Sequence, residues 1–180
     1  MDPERHSLRS RRVRSVFLIA AIAAATCATA LAATRALTPA QFAAKPGWHV
    51  GHGQLQACPG VPRTRCVEVG SWAATIRWRD CSTCAVPHKT LARLPARGIA
   101  IFLLLAGETH LPTNQLTWPP TIHARDVGSF EGVPTRIGTF QASGRLGRFG
   151  AQLYVYFGRR HPTRQQLARA QAELATAKVP

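Results

Sequence analysis

The chain has 180 residues, 46% hydrophobic and 17% charged, with 23 basic residues against eight acidic ones and a net charge of +15. That length accommodates one domain behind a leader and leaves no comfortable room for a second. Twenty arginines against three lysines, alongside abundant Ala, Pro and Gly, look as much like a background bias as like a designed basic surface, so net charge alone names no partner.

Residues 1–15 form a basic segment that includes Arg11, Arg12 and Arg14. Residues 16–33, VFLIAAIAAATCATALAA, then run without a charge. Cations followed by such a run mark a signal peptide or a single transmembrane helix. Positive flanks stay cytoplasmic, so the chain beyond Ala33 is expected outside. Eighteen helical residues span about 27 Å, just under a ~30 Å hydrocarbon core. The small-x-small triplet Ala30-Leu31-Ala32 offers a cleavage site. Two locations stay open: the cell membrane, with one pass and the C-terminal domain outside, or secretion after cleavage near Ala32. If the first 32 residues leave, 18 basic and six acidic residues remain, a net +12.

Residues 34–46, TRALTPAQFAAKP, carry two prolines and no helix or strand period, and read as a tether. An extracytoplasmic β-rich domain is expected over 47–180. Its first strand is read over Trp48–Gln56, before the breaker-rich turn Cys58–Pro62. Arg65–Trp78 is the best β signal of the first half. Val67 and Val69 share one parity, while Trp72, Ala74, Ile76 and Trp78 share the other, which predicts a bulge or a change of sheet at Gly70-Ser71. A helical turn is expected at Thr90–Leu94.

Ile99–Leu105, IAIFLLL, is apolar at every position and strand-length, so it predicts a central strand covered on both faces. Glu108–Pro120 reads as loop and Ile122–Val127 as a short edge strand. Pro134–Ser143 and Gln152–Gly158 predict a hairpin connected through Gly144–Gly150, with Leu153, Val155 and Phe157 facing the core. The chain closes on a helix over Pro162–Ala177, with capping-box spacing at Thr163 and Gln166 and a stripe of Leu167, Ala170, Leu174 and Ala177. The expected fold is mainly β (α+β): an antiparallel sheet or sandwich with one C-terminal amphipathic helix, behind an N-terminal hydrophobic helix.

Outside the cytoplasm, Cys58, Cys66, Cys81 and Cys84 predict two disulfides, with the sequential pairing preferred over the crossed ones. Zinc fits the spacing poorly, since Cys58 and Cys66 stand too far apart for a knuckle and His49 and His52 on one strand would face opposite ways. No nucleophile elbow surrounds Ser71, the acidic residues show no motif spacing, and no phosphate-binding glycine loop appears. Neither metal nor cofactor is therefore expected.

The order Cys81-Ser-Thr-Cys84, buried strand, Val133-Pro134-Thr135, hairpin and final helix resembles the membrane-tethered thioredoxin family. That resemblance implies Cys81 as nucleophile, Cys84 as resolving thiol and Pro134 as a cis-proline facing them. The residues taken by themselves point to a non-catalytic binding module at the cell envelope. Its expected partners are the membrane, through residues 16–33 if uncleaved, and an anionic envelope polymer or lipid headgroups. Nucleic acid is not expected, because no basic run of five or more occurs outside the first segment.

Overall fold

A computed structural model describes residues 37–62, 66–107 and 112–180. The sequence readings for the basic segment, the apolar run, Arg65 and Glu108 lie outside the described residues.

The fold grows outward from the continuous apolar run. It forms β4, Ile99–Gly107, with Ile101, Leu103 and Leu105 buried on one face and Ala100 and Phe102 on the other. A strand wet on neither face needs a neighbour on each side. These are β3, Val67–Ala74, and β6, Phe149–Phe157, both antiparallel to it. The outer positions go to β1, His49–His52, and the two-residue β2, Gln56–Ala57, which both pair with β3, and to β5, Gly138–Leu146, which pairs with β6. The order is β1-β3-β4-β6-β5, so the chain passes β6's place, lays down β5 and returns to fill the gap. Among the described residues this is one six-stranded antiparallel sheet. The sandwich alternative is corrected: helices and loops cover the two faces.

The first face packs against α2, Arg164–Leu174, and against Leu37, Ala40, Phe42, Leu116 and Ile122. Thr163 caps α2. Its hydroxyl accepts from Gln166 N at 3.2 Å, while its own N–H donates to Gln166 Oε1 at 3.1 Å, the reciprocal box read from the spacing. Ala170, Leu174 and Ala177 are buried with Leu167 packed beside them, as the stripe predicts.

The second face lies under a short helix α1, His88–Arg93, which buries Leu91, followed by Leu94, and under Ile137 and the aromatics around Trp78. This second cover also takes in Tyr154 and Tyr156, which the alternation of β6 would otherwise send to solvent.

Four local expectations are corrected. β3 pairs one-to-one with β4 from Val67↔Gly107 to Ala74↔Ala100, without a bulge. Residues of both parities are buried along the strand, Val69, Ser71 and Ala73 on one face and Glu68 and Ala74 on the other, so the change of apolar parity marks no break in the strand. Ile122–Val127 is not a strand: a 3-10 turn occupies Ala124–Asp126, and the Ile122 N–H is taken by the α2 side chain Gln171 at 3.0 Å.

The hairpin loop is only Gly147-Arg148, with Gly147 at φ +57° and Leu146 paired with Phe149. A positive φ at the first loop position alone suits a II′ turn, whose twist matches its strands. Gly144 serves close approach instead, since a Cβ there would stand 3.0 Å from Asn114 O and Leu116 N. Finally, Leu37, Ala40 and Phe42 are buried and Gln41 bridges Lys178. The packed unit therefore starts at Leu37, within the segment read as a tether.

Candidate functional site

The four cysteines among the described residues pair sequentially, Cys58 with Cys66 and Cys81 with Cys84, each pair with Cα atoms 5.4 Å apart. The first bridge closes the turn beyond β2, and Cys66 is buried there. The second closes the Cys81–Cys84 loop, which lies on the second face of the sheet.

Two glycines admit that loop. A Cβ on Gly70 would meet Ser82 O at 1.7 Å, and one on Gly53 would meet Ser82 Cβ at 1.8 Å. Only a residue without a side chain lets the loop backbone come so near the strands. Gln56 of β2 then holds it, donating from Nε2 to Ser82 Oγ at 3.1 Å and accepting from Thr83 Oγ1 at 2.9 Å. From beneath, the Tyr156 hydroxyl donates to Ala85 O. Burial, with Tyr154 nearby, pushes the Tyr156 phenol far above its ordinary range, so it stays a protonated donor.

The residue before the loop has its own task. Asp80 accepts from Lys89 N at 3.0 Å and, through its other oxygen, from Thr90 N at 2.7 Å and Thr90 Oγ1 at 2.6 Å. A helix leaves its first N–H groups open, and Asp80 fills those of α1 from outside it. The same N–H groups would have to face a sulfur for a helix to favour a thiolate. At the other end of α1, the Arg136 guanidinium donates to Leu91 O at 2.8 Å, Ala92 O at 3.1 Å and Leu94 O at 2.9 Å, binding the carbonyls left open there.

Beside the loop an aromatic row crosses the sheet. Gly51, Trp72, Phe102, Tyr154 and Gln141 occupy one register line. Trp78 stacks on Trp72 at 5.4 Å and on Phe102 at 5.7 Å, and Phe130 meets Tyr154 edge-on at 5.6 Å. Gly51 leaves room for the indole of Trp72, whose ring carbon would stand 2.7 Å from an added Cβ. Trp72, Trp78, Phe130 and Leu104 are half-buried and form a partly open apolar rim. The Trp78 Nε1 donor is buried without an acceptor.

The structure brings Cys81 and Cys84 together with Gln56, Gly53, Gly70, Asp80 and Tyr156, none of which a motif reading singles out. Glycines at odd points in strands were the available signal. Pro134 stands elsewhere in role: it is exposed, opens the turn whose N–H from Ile137 returns to Pro134 O at 2.9 Å, and its peptide bond is not cis. Trp118-Pro119 is the cis bond among the described residues. This corrects the cis-proline expectation, because Pro134 here starts a turn feeding β5. His49 and His52 are both exposed, and among the described residues no group of three or more His, Cys, Asp or Glu is arranged to hold a metal ion. No helix among the described residues is long and apolar enough to cross a membrane.

The fold and site define a class: a small antiparallel α+β domain stapled by two short-range disulfides. No protein-family model, curated protein or solved structure shows significant similarity to this chain.

Proposed function

We propose that this chain is a non-catalytic binding module of the cell envelope, kept at the membrane by residues 16–33 or released by cleavage near Ala32. Its partner class is an anionic envelope polymer or lipid headgroups. The observation that carries the reading is the state of the Cys81–Cys84 loop. Both hydroxyls between the cysteines are engaged by Gln56, its backbone is seated on Gly53 and Gly70, and the nearest helix N-terminus is occupied by Asp80. A redox pair needs a sulfur that exchanges freely and a group that stabilises its thiolate. Here the surroundings favour a staple that positions the loop beside the aromatic rim.

The competing reading is a thiol-disulfide oxidoreductase using Cys81 and Cys84, favoured by the exposure of Cys81. Insulin reduction in the presence of dithiothreitol separates the two. The wild-type domain is expected to add nothing to the background rate, and Cys81→Ser to lower stability by about 2 kcal/mol, the contribution expected of so short a loop. Turnover above background that Cys81→Ser abolishes, with the fold retained, would reverse the assignment.

A further inference from the structure

Four chain segments meet at the end of the sheet where β4 begins and β6 finishes. Thr75 exchanges hydrogen bonds with Ile99, Gly158 N donates to Gly98 O at 2.9 Å, and Gly138 N donates to Arg159 O at 3.1 Å. Gln166 at the start of α2 reaches across to Ala96 O at 3.1 Å, and Arg136 ties the turn before β5 to Leu94 O. These contacts bring residues 75–78, 93–98, 134–137 and 158–164 to one end of the sheet.

That end carries Arg77, Arg93, Arg97, Arg159, Arg160 and Arg164, all exposed, and those four segments contain no Asp or Glu. The ion pair of Arg125 with Asp126, at 3.8 Å, lies outside the four segments. A composition bias toward arginine explains many arginines. It does not explain their gathering where the first turn of α2 adds its own positive pole.

Helix N-termini favour acidic residues, and a cation there is unfavourable. Yet α2 has no acidic residue in its first turn and begins with Arg164, three positions after the run Arg159-Arg160-His161. An arrangement unfavourable to the fold, built from several loops, is what an anion site requires.

We infer that this end of the domain binds a linear polyanion carrying repeated phosphate or carboxylate groups, a conclusion that rests on the binding-module reading and specifies its partner and surface. A polymer suits the surface better than a bilayer. Peripheral membrane sites set exposed apolar side chains among their cations, whereas Ile76 and Trp78 in these segments are half-buried against the sheet and the exposed large hydrophobic residues, Leu55 and Val61, lie outside them.

The test uses the exported domain from Thr34 and three probes: linear polyphosphate, neutral phosphatidylcholine vesicles, and the same vesicles containing anionic phosphatidylglycerol. Affinity for polyphosphate is expected to fall on the order of a hundredfold between about 50 and 200 mM salt, taking about four neutralised charges and the slope known for duplex DNA. Arg159→Glu/Arg160→Glu should abolish most of it. Lys45→Glu/Lys178→Glu, an equal change in net charge near the opposite end of α2, should leave it nearly intact. Arg164→Glu should weaken binding while raising Tm, which separates a binding role from a structural one.

Equal losses in both double variants, no binding at low salt, or binding to anionic vesicles without binding to polyphosphate would each overturn the inference. None of these outcomes bears on insulin turnover, so the polymer site can fail while the module reading stands, and the reverse.

Discussion

Glu173 shows how one buried side chain shapes the pH response. It lies near the end of α2 at 1% exposure, where its carboxylate accepts from Thr176 Oγ1 at 3.4 Å. Desolvation raises its pKa above the ordinary 4.5, and Lys45 and the Thr176 hydroxyl only partly oppose that. An acid with a raised folded pKa holds its proton more tightly when folded. Its contribution to stability is complete below about pH 4.5 and is lost as pH rises through the folded value. Glu173→Gln keeps an acceptor for Thr176 and removes this loss. The variant's Tm should match wild type at about pH 4 and exceed it increasingly toward about pH 7.5, as followed by thermal melts. A gap that stays constant across this range would show that Glu173 does not titrate in it. The glycines are the other residue-scale lesson, since Gly70 in β3 and Gly53 just past β1 make room for the loop above them.

At the scale of the element, α2 draws its start from local chemistry and its stability from what it covers. Thr163 and Gln166 satisfy one another's backbone N–H groups, and Gln166 also donates to Ala96 O and Gly98 O. Thr163→Ala should therefore cost about 1 kcal/mol, measured by urea denaturation, with little change in the slope against urea. Gln166→Ala should cost more, because it leaves the Thr163 N–H without its acceptor and Ala96 O without its donor. The two-residue turn at Gly147-Arg148 likewise owes its shape to one positive φ. β1 and β2 are different: so short that they exist only as edges laid on β3.

For the whole molecule, the Leu37–Phe42 segment belongs to the core of the first face. Leu37, Ala40 and Phe42 are at most 8% exposed, Gln41 pairs with Lys178 in both directions at 2.9–3.0 Å, and Ala43 N donates to Thr176 Oγ1 at 3.4 Å. A domain starting at Gly47 should lose on the order of 3–6 kcal/mol relative to one starting at Thr34, mainly the burial of Leu37 and Phe42. Calorimetry of the two fragments checks this, and equal Tm values would return residues 37–46 to the role of a spacer. The cost is a large share of the roughly 5–15 kcal/mol that holds a domain together.

Periodicity and local chemistry make several features legible in the sequence alone. The apolar run at Ile99, strand-length and opened by Gly98, reads as a strand with both faces covered, and β4 is one. Thr163 and Gln166 announced the start of the last helix, and four cysteines with short spacings paired with their neighbours. What stayed hidden depends on residues far apart in sequence. β3 changes its apolar parity without a bulge because both of its faces are covered and residues of either parity are buried. Tyr154 and Tyr156 are buried because α1 and the Trp78 region close over them, and Leu37 is core because α2 ends beside it. The same distance effect brings six arginines to one end of the sheet, where the linear order shows no basic run of five or more. Local signals reveal what a residue prefers, while its neighbours across the sheet decide what it does.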